Sequence, residues 1–316
     1  MQKRELGASG IKVTPFCFGG NVFGWTANEQ TSFDLLDAYV DSGLDFIDTA
    51  DVYSAWVPGN KGGESETIIG KWLKRSGKRE KVIIATKVGK PMGPDKKGLS
   101  RAYITRAVED SLKRLQTDYI DLYQSHDDDK NTSLLETMET FTDLIKQGKV
   151  RSIGASNYSA DRFKEALEVS KKNSLETYQT LQPEYNLYDR EGYEKELEPI
   201  CQKNNIGVIT YYSLASGFLT GKYRSQDDLS KSQRGVGVKK YLNNRGFKIL
   251  DALDNVAKEY NSTPASVAIA WVIARPGVTA PIASATSVKQ LHETTKATEL
   301  KLGKETIDML TEASKY

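Results

Sequence analysis

Four residues suited to proton transfer fall at the ends of apolar runs. Asp48 and, five positions on, Tyr53 lie in FIDTADVY (46–53), Lys87 in VIIATKVG (82–89) and His126 in YIDLYQSH (119–126). A carbonyl that accepts hydride develops negative charge on oxygen and needs a proton there. A phenol, with a pKa of about 10, donates more readily where a cation stabilises phenolate. Lys87 suits that role, and Asp48 suits the task of neutralising and orienting its ammonium. His126 suits a hydrogen bond to the substrate oxygen. Taken singly, each has a plainer reading: a capping Asp, a packed Tyr, a solvated Lys, a structural His. Their placement at one end of three consecutive strands is what favours chemistry.

Such residues need a scaffold that brings strand ends together. A hairpin is expected over 3–14, with its turn at 8–10. Strands are predicted at 16–19, 45–48, 82–86, 119–124, 150–155, 179–182, 207–212 and 279–284. Helices are predicted at 30–42, 64–75, 101–115, 134–147, 159–172, 190–204, 246–260, 264–275 and 287–297. Strands alternating with helices over this length imply a parallel sheet. Eight of them point to a (β/α)8 TIM barrel, which keeps its chemistry at the carboxyl ends of its strands. A doubly wound open sheet is the alternative, but it usually carries GxGxxG after its first strand, and no such turn is present. The expected class is therefore α/β, a TIM barrel with an N-terminal hairpin and a long loop after the seventh strand. That loop, 213–245, carries Lys222, Arg224, Lys231, Arg234, Lys239 and Lys240. No linker divides the chain, so one domain is expected over 1–316.

Charge narrows the function classes. Lys and Arg total 44 against 42 Asp and Glu, a net +2, so no basic field points to nucleic acid or an anionic membrane. No run approaches the roughly 20 apolar residues of a membrane span, and the N-terminus lacks the apolar core of a signal peptide. A cytoplasmic protein is expected. Cys17 and Cys201 sit in apolar surroundings without metal-type spacing and are expected to be reduced core residues. With only two histidines, His126 and His292, the latter on a predicted helix, no metal site is expected.

The later strands end in Ser156-Asn157, Gln182-Pro183, Tyr211-Tyr212-Ser213 and Ala283-Ser284. Amides and hydroxyls suit a carboxamide, and an aromatic face suits a planar ring. Ser156-Asn157 equally reads as the N-cap of the next helix.

Seven ordered stretches carry a resemblance to the aldo-keto reductase superfamily: FIDTADVYS, GESETIIGKWL, VIIATKVG, SLKRLQTDYIDLYQSH, IGASNYS, LQPEYNL and YYSLASGFLTGKY. It covers nearly the whole chain and is greatest for the bacterial and plant branch that also resembles potassium-channel β-subunits. The resemblance implies a barrel binding NADP(H) without a Rossmann domain and reducing small carbonyl substrates. It implies Tyr53 as general acid, Lys87 and Asp48 as its tuning pair, and His126 as the residue orienting substrate. Ser156, Asn157 and Gln182 would hold the carboxamide, and Tyr211 would stack on nicotinamide. Gly217, Leu219, Thr220, Gly221 and Lys222 match the segment over the pyrophosphate, where backbone N–H groups suit phosphate oxygens. Ser284, Gln290 and Glu293 fall at the adenosine end. Gly20, Asn21, Tyr212, Ser213, Leu214 and Thr286 complete the cofactor-binding set, and Trp25 and Trp56 resemble the lining of the substrate pocket.

This chain also departs from the family pattern. Where a basic residue commonly pairs with the 2′-phosphate of NADP, it reads Ala285-Thr286-Ser287, with Lys289 as a substitute. That leaves NAD(H) as an alternative. Thr294 stands where Asn often contacts adenine, and Asp127-Asp128-Asp129 follows His126 in place of Trp-Pro. These carboxylates would disfavour anionic substrates, or else form a solvated loop capping the next helix. Besides a carbonyl reductase, two other readings are a cofactor-sensing subunit with little turnover and a Schiff-base aldolase using Lys87. The channel-type relatives assemble with symmetry, but no surface seam shows itself in this sequence.

Overall fold

The computed structural model describes residues 2–316. A short hairpin, β1 (Arg4–Glu5) and β2 (Lys12–Val13), pairs antiparallel. The barrel strands follow: β3 (Cys17–Gly19), β4 (Phe46–Asp48), β5 (Ile83–Val88), β6 (Ile120–Ser125), β7 (Val150–Ser156), β8 (Thr180–Gln182), β9 (Gly207–Thr210) and β10 (Val278–Ala283). They close in the order β10-β3-β4-β5-β6-β7-β8-β9, each pair parallel, so the TIM barrel and N-terminal hairpin expected from sequence are both present.

The two-residue period of a strand decides which side chains enter the barrel. Leu122 clusters with Cys17, Phe46, Ala85, Ile209 and Ala280 in the interior, whereas its neighbour Tyr123 faces out and packs on Phe141 at 5.8 Å between ring centroids. Leu6, Ile11 and Val13 of the hairpin join the interior cluster and close the floor of the barrel. The helices lay their apolar stripes on the outside. Fully burying one Leu, Ile or Phe stabilises by roughly 1.5–3 kcal/mol. Cys17 and Cys201 are both buried and unpaired. No helix among the described residues is long and apolar enough to cross a membrane.

The helices are α1 (Glu29–Asp41), α2 (Glu64–Ser76), α3 (Arg101–Leu115), α4 (Leu134–Lys146), α5 (Ala160–Lys172), α6 (Glu198–Lys203), α7 (Gly235–Val238), α8 (Asn244–Glu259), α9 (Pro264–Ile273), α10 (Val288–Thr295) and α11 (Lys304–Ala313). Side chains that accept a first-turn N–H set several of the starts: Asn28, Ser100, Ser133, Ser159, Asn243, Thr263 and Ser287. Each such cap is worth about 1 kcal/mol. Ser159 caps α5, so Ser156 and Asn157 are not its cap, and Ser133 rather than the aspartates caps α4.

Three elements differ from the sequence expectation. The helix expected over 190–204 is a π-helical turn, Tyr193–Leu197, followed by α6. Pro199 has no N–H and its ring crowds the carbonyl four residues back, so the helix widens before it. The helix α11 lay beyond the last predicted element. Leu310 is its one fully buried residue, and it is tied down by the Trp271 indole donating to Thr311 Oγ1 at 3.0 Å. The stretch 213–245 holds three 3-10 turns (Ala215–Thr220, Gln226–Lys231 and Lys239–Tyr241), the short α7 and the start of α8. Buried Phe218, Leu219, Tyr223, Val238 and Tyr241 anchor it.

Candidate active site

Asp48 ends β4, Lys87 lies near the end of β5 and His126 follows β6, with its N–H donating to Val88 O (2.8 Å) and so continuing the ladder. All three are buried. Lys87 Nζ donates to Asp48 Oδ2 (2.6 Å), Thr49 O (2.8 Å) and the Tyr53 hydroxyl (3.0 Å), which uses its three protons. The Tyr53 hydroxyl donates to Asp48 Oδ2 at 3.3 Å, and Gln182 Nε2 donates to Asp48 Oδ1 at 2.9 Å. The Tyr53 and His126 rings meet edge to face, 5.9 Å between centroids. The four residues expected to act together therefore form one cluster, joined by Gln182.

Tyr53 rides on a loop held at several points. Ser54 is in the left-handed region at φ 66°, a conformation costing about 1–2 kcal/mol for a residue with a Cβ. Its hydroxyl donates to Phe23 O (2.8 Å), and Asn60 Nδ2 bridges Ser54 O and Gly24 O (both 3.1 Å), which fixes the second βα loop to the first. Trp25 and Trp56 meet at 5.7 Å and 89°, and Trp56 reaches Tyr53 at 6.0 Å, so the two tryptophans wall one side of the Tyr53 ring.

Burial, and then the Asp48 carboxylate, push the Tyr53 phenol well above its ordinary pKa. The residue as a whole is half-buried. The sequence reading gave Lys87 the part of easing this ionisation; in the free protein Asp48 offsets that pull, and Tyr53 stays a phenol. Burial lowers Lys87 in spite of Asp48. His126 is held well below its ordinary value by burial and by Lys87 and Lys90, so its imidazole is neutral at physiological pH.

Between Asp48 and Tyr53 lies Asp51, buried with neither oxygen hydrogen-bonded. Burial, and then Glu66, raise its carboxyl well above the usual range. A carboxyl whose folded pKa is raised contributes stability below the unfolded value, and that stability is lost as pH rises through the folded one. Asp51→Asn is therefore expected to stabilise the protein by about 1–3 kcal/mol at pH 8 and by almost nothing near pH 4. Thermal unfolding of both proteins across that range checks the sign.

The expected cofactor-binding residues line the same end of the barrel. Asn157, at φ 57°, donates through Nδ2 to His126 O (2.8 Å) and accepts the Tyr211 hydroxyl at Oδ1 (2.9 Å). Ser156 Oγ donates to Gln182 O (2.9 Å). Tyr212 is exposed, whereas Ser213 and Leu219 are buried. Ala215, Ser216 and Gly217 follow one another at positive φ (48°, 58° and 97°), and the N–H groups of Ala215 and Gly217 donate to Tyr212 O (2.6 Å) and Leu214 O (2.8 Å). Thr220 Oγ1 donates to Gly217 O (2.7 Å), and a turn through half-buried Gly221 to exposed Lys222 follows.

At the far end, Ser287 caps α10, and Gln290 Oε1 accepts both the Thr286 N–H and its hydroxyl (3.0 Å each). Glu293 is half-buried one turn further on, and Thr294 Oγ1 bonds back to its own helix. Gly20 O accepts Ser65 Oγ (2.8 Å). Gly19 admits no side chain, since a Cβ there would lie 2.5 Å from Ser284 Oγ.

Sequence reasoning missed Arg234 as part of this site. Asn21, oriented to satisfy both ends of its amide, donates to Ser284 Oγ (2.7 Å) and accepts from Arg234 at 3.0 Å. The guanidinium also lies 5.3 Å over the Trp25 ring. Arg234 was one of six basic residues in an irregular stretch, and no local signal set it apart. The three aspartates after His126 separate in space: Asp128 forks onto Arg162 (3.0–3.2 Å), Asp129 accepts Leu99 N (2.8 Å), and only Asp127 remains at the mouth, 3.7 Å from Lys90. A cavity of about 450 Å³ lies outside the cluster; of the expected site residues only Asn157 and Tyr211 line it.

Comparison with known proteins identifies the family. The Aldo/keto reductase family profile matches residues 15–315. An uncharacterized oxidoreductase, YrpG, of Bacillus subtilis is 38% identical over 98% of this chain and 95% of its own length. A probable voltage-gated potassium channel subunit beta of Arabidopsis thaliana is 35% identical (95% and 92%). The aldo-keto reductase YhdN of Bacillus subtilis is 35% identical (94% and 87%). With a barrel of this topology, the tetrad at its carboxyl end and these likenesses over almost the full chain, the protein belongs to the aldo/keto reductase family of oxidoreductases.

Proposed function

We propose that the protein reduces aldehydes or ketones to alcohols with NADP(H), with Tyr53 delivering the proton. The observation that carries this reading is the single hydrogen-bonded cluster of Tyr53, Lys87 and Asp48 beside a neutral His126. Nicotinamide, when bound, supplies hydride to the carbonyl carbon. Asn157, Ser156 and the Tyr211 ring fit its carboxamide end, the turn that presents exposed Lys222 fits phosphate, and the capped start of α10 fits the adenosine end.

A carbonyl oxygen seated between Tyr53 and His126 receives two hydrogen bonds. The Tyr53 bond to Asp48, at 3.3 Å, is longer than the roughly 2.5–3.0 Å usual for O–H···O, so the hydroxyl is free to turn to substrate. As negative charge grows on the carbonyl oxygen, Tyr53 gives up its proton, and Lys87 at 3.0 Å stabilises the phenolate left behind. Asp48, gripped by Lys87 and Gln182, keeps the ammonium aimed at that oxygen. Schiff-base use of Lys87 is disfavoured, because Nζ is enclosed and all its protons are donated. The likeness to a channel β-subunit supports a second reading, a cofactor-binding subunit with little turnover. A panel of aldehydes with saturating cofactor separates the two: steady turnover favours the reductase, and binding without turnover favours the subunit.

Cofactor choice has its own test. Ser287 and Thr286 are committed to hydrogen bonds at the start of α10, which leaves exposed Lys289 as the cation on that helix for a 2′-phosphate. Titration with NADPH and NADH, followed by tryptophan quenching, is expected to show NADPH binding tighter by roughly tenfold, about 1.4 kcal/mol. Lys289→Ala should shrink that difference. Equal binding would move the preference to NAD(H), and binding of neither would overturn the proposal.

A further inference from the structure

Beneath the tetrad, the barrel interior holds polar groups that the reaction above does not use. Gln124 lies in β6 on the inward face shared with Leu122 and, two residues on, with His126. Gln124 is fully buried, yet neither its Oε1 nor its Nε2 has a hydrogen-bond partner in the protein. The same holds for His126 Nδ1, Ser152 Oγ in β7 and Thr180 Oγ1 in β8. Strand register places them together: Leu122 is opposite Ser152, Gln124 opposite Gly154, and Gly154 opposite Thr180. A Cβ on Gly154 would lie 2.0 Å from Thr180 Oγ1 and 3.2 Å from Gln124 Cγ, so the two side chains converge over this glycine. Buried polar groups are almost always paired, with protein or with water, and a buried water typically takes two to four such partners.

We propose that Gln124, Ser152 and Thr180 form a buried water site inside the barrel. We further propose that a water held there by Gln124 donates to His126 Nδ1 and so fixes the tautomer that presents Nε2–H to the substrate. This rests on the reading of His126 as the residue that orients the carbonyl. A neutral imidazole carries one proton, and the partner of one nitrogen decides which nitrogen holds it. Inward side chains two positions apart on a strand start about 6.6 Å apart, a span suited to one bridging water. With a donor at Nδ1, the proton sits on Nε2 and points at the carbonyl oxygen. With the proton on Nδ1, Nε2 would turn a lone pair towards that oxygen and repel it. Burial and the two neighbouring lysines keep the imidazole neutral, so the choice of tautomer decides whether His126 binds or repels. Gln124 is in this sense a positioning residue, acting through water and His126.

The chain has two histidines, His126 and His292. Nitrogen NMR of protein labelled with ¹⁵N-histidine therefore reports on the tautomer with one internal control. Wild type is expected to show His126 as the Nε2–H tautomer, with Nδ1 shifted as a hydrogen-bond acceptor. Gln124→Met, which keeps length and removes both polar ends, should turn His126 into a mixture of tautomers while His292 is unchanged. It should lower kcat by roughly tenfold with cofactor Kd unchanged. Ser152→Ala, a milder change, should move the Nδ1 signal without altering the fold. Wild-type His126 protonated at Nδ1, or an unchanged tautomer in a folded Gln124→Met, would overturn the proposal. An Nε2–H tautomer in a protein that reduces no carbonyl would instead sink the reductase reading and leave the water site standing.

Discussion

Tyr53→Phe is expected to lower kcat for aldehyde reduction by roughly 10²–10⁴-fold, the range typical of a lost general acid. The substitution removes one oxygen and little else. Lys87 keeps its bonds to Asp48 Oδ2 (2.6 Å) and Thr49 O (2.8 Å), and the ring keeps its edge contacts with His126 and Trp56. Affinity for NADPH should stay within about twofold of wild type, because no group proposed to hold the cofactor is bonded to the phenol; that change is well under 1 kcal/mol. Steady-state kinetics on a small aldehyde, with cofactor titration on the same samples, checks both halves. Near-normal turnover by the variant would mean that the proton comes from elsewhere, His126 being the next group in reach.

Lys87→Met is expected to cost more in stability than any other single change at the site, about 3–5 kcal/mol. Lys87 is fully enclosed and Asp48 is 2% exposed, so removing the ammonium leaves a buried carboxylate with only Gln182 and Tyr53 as partners. Asp48→Asn should cost less, since the amide can still accept from Lys87. The double variant, Asp48→Asn with Lys87→Met, should recover most of the loss, because a buried pair replaced on both sides is often close to neutral. Activity should not recover with it, since no cation then remains to stabilise the Tyr53 phenolate. Denaturant unfolding of the two single variants and the double, set against turnover, separates the structural worth of the pair from its part in catalysis. Strict additivity of the unfolding changes would show that the ion pair is not the unit that matters.

The tetrad was legible in sequence because its positions follow from local rules. Short apolar runs that stop at Asp48, Lys87 and His126 are strands whose ends face one way in a parallel barrel, and periodicity with turn residues was enough to count eight of them. The caps were less legible: Ser156-Asn157 and the aspartates after His126 read as caps, but Ser159 and Ser133 hold those places. What lay outside local reach depended on packing across the chain. Pro199 widens its helix into a π turn in a stretch that read as one continuous helix. The last helix, α11, is anchored from outside itself, by Trp271, which donates to Thr311 Oγ1, and by Arg190, which donates to Thr311 O and Ser314 Oγ.

Arg234 joins Asn21 and Trp25 although more than 200 positions separate them, so only the folding of the 213–245 stretch back over the first βα loop makes it part of the site. The three aspartates after His126 looked equivalent in sequence, and Arg162 and Leu99 single out Asp127 by engaging the other two. Sequence by itself therefore determined the barrel and the four residues at its mouth, because both are written in patterns a few residues long. Tertiary structure decided the ionisation of Tyr53 and His126, the partners of Asp48 and the polar interior beneath them. Those depend on burial and on charges brought together from distant strands.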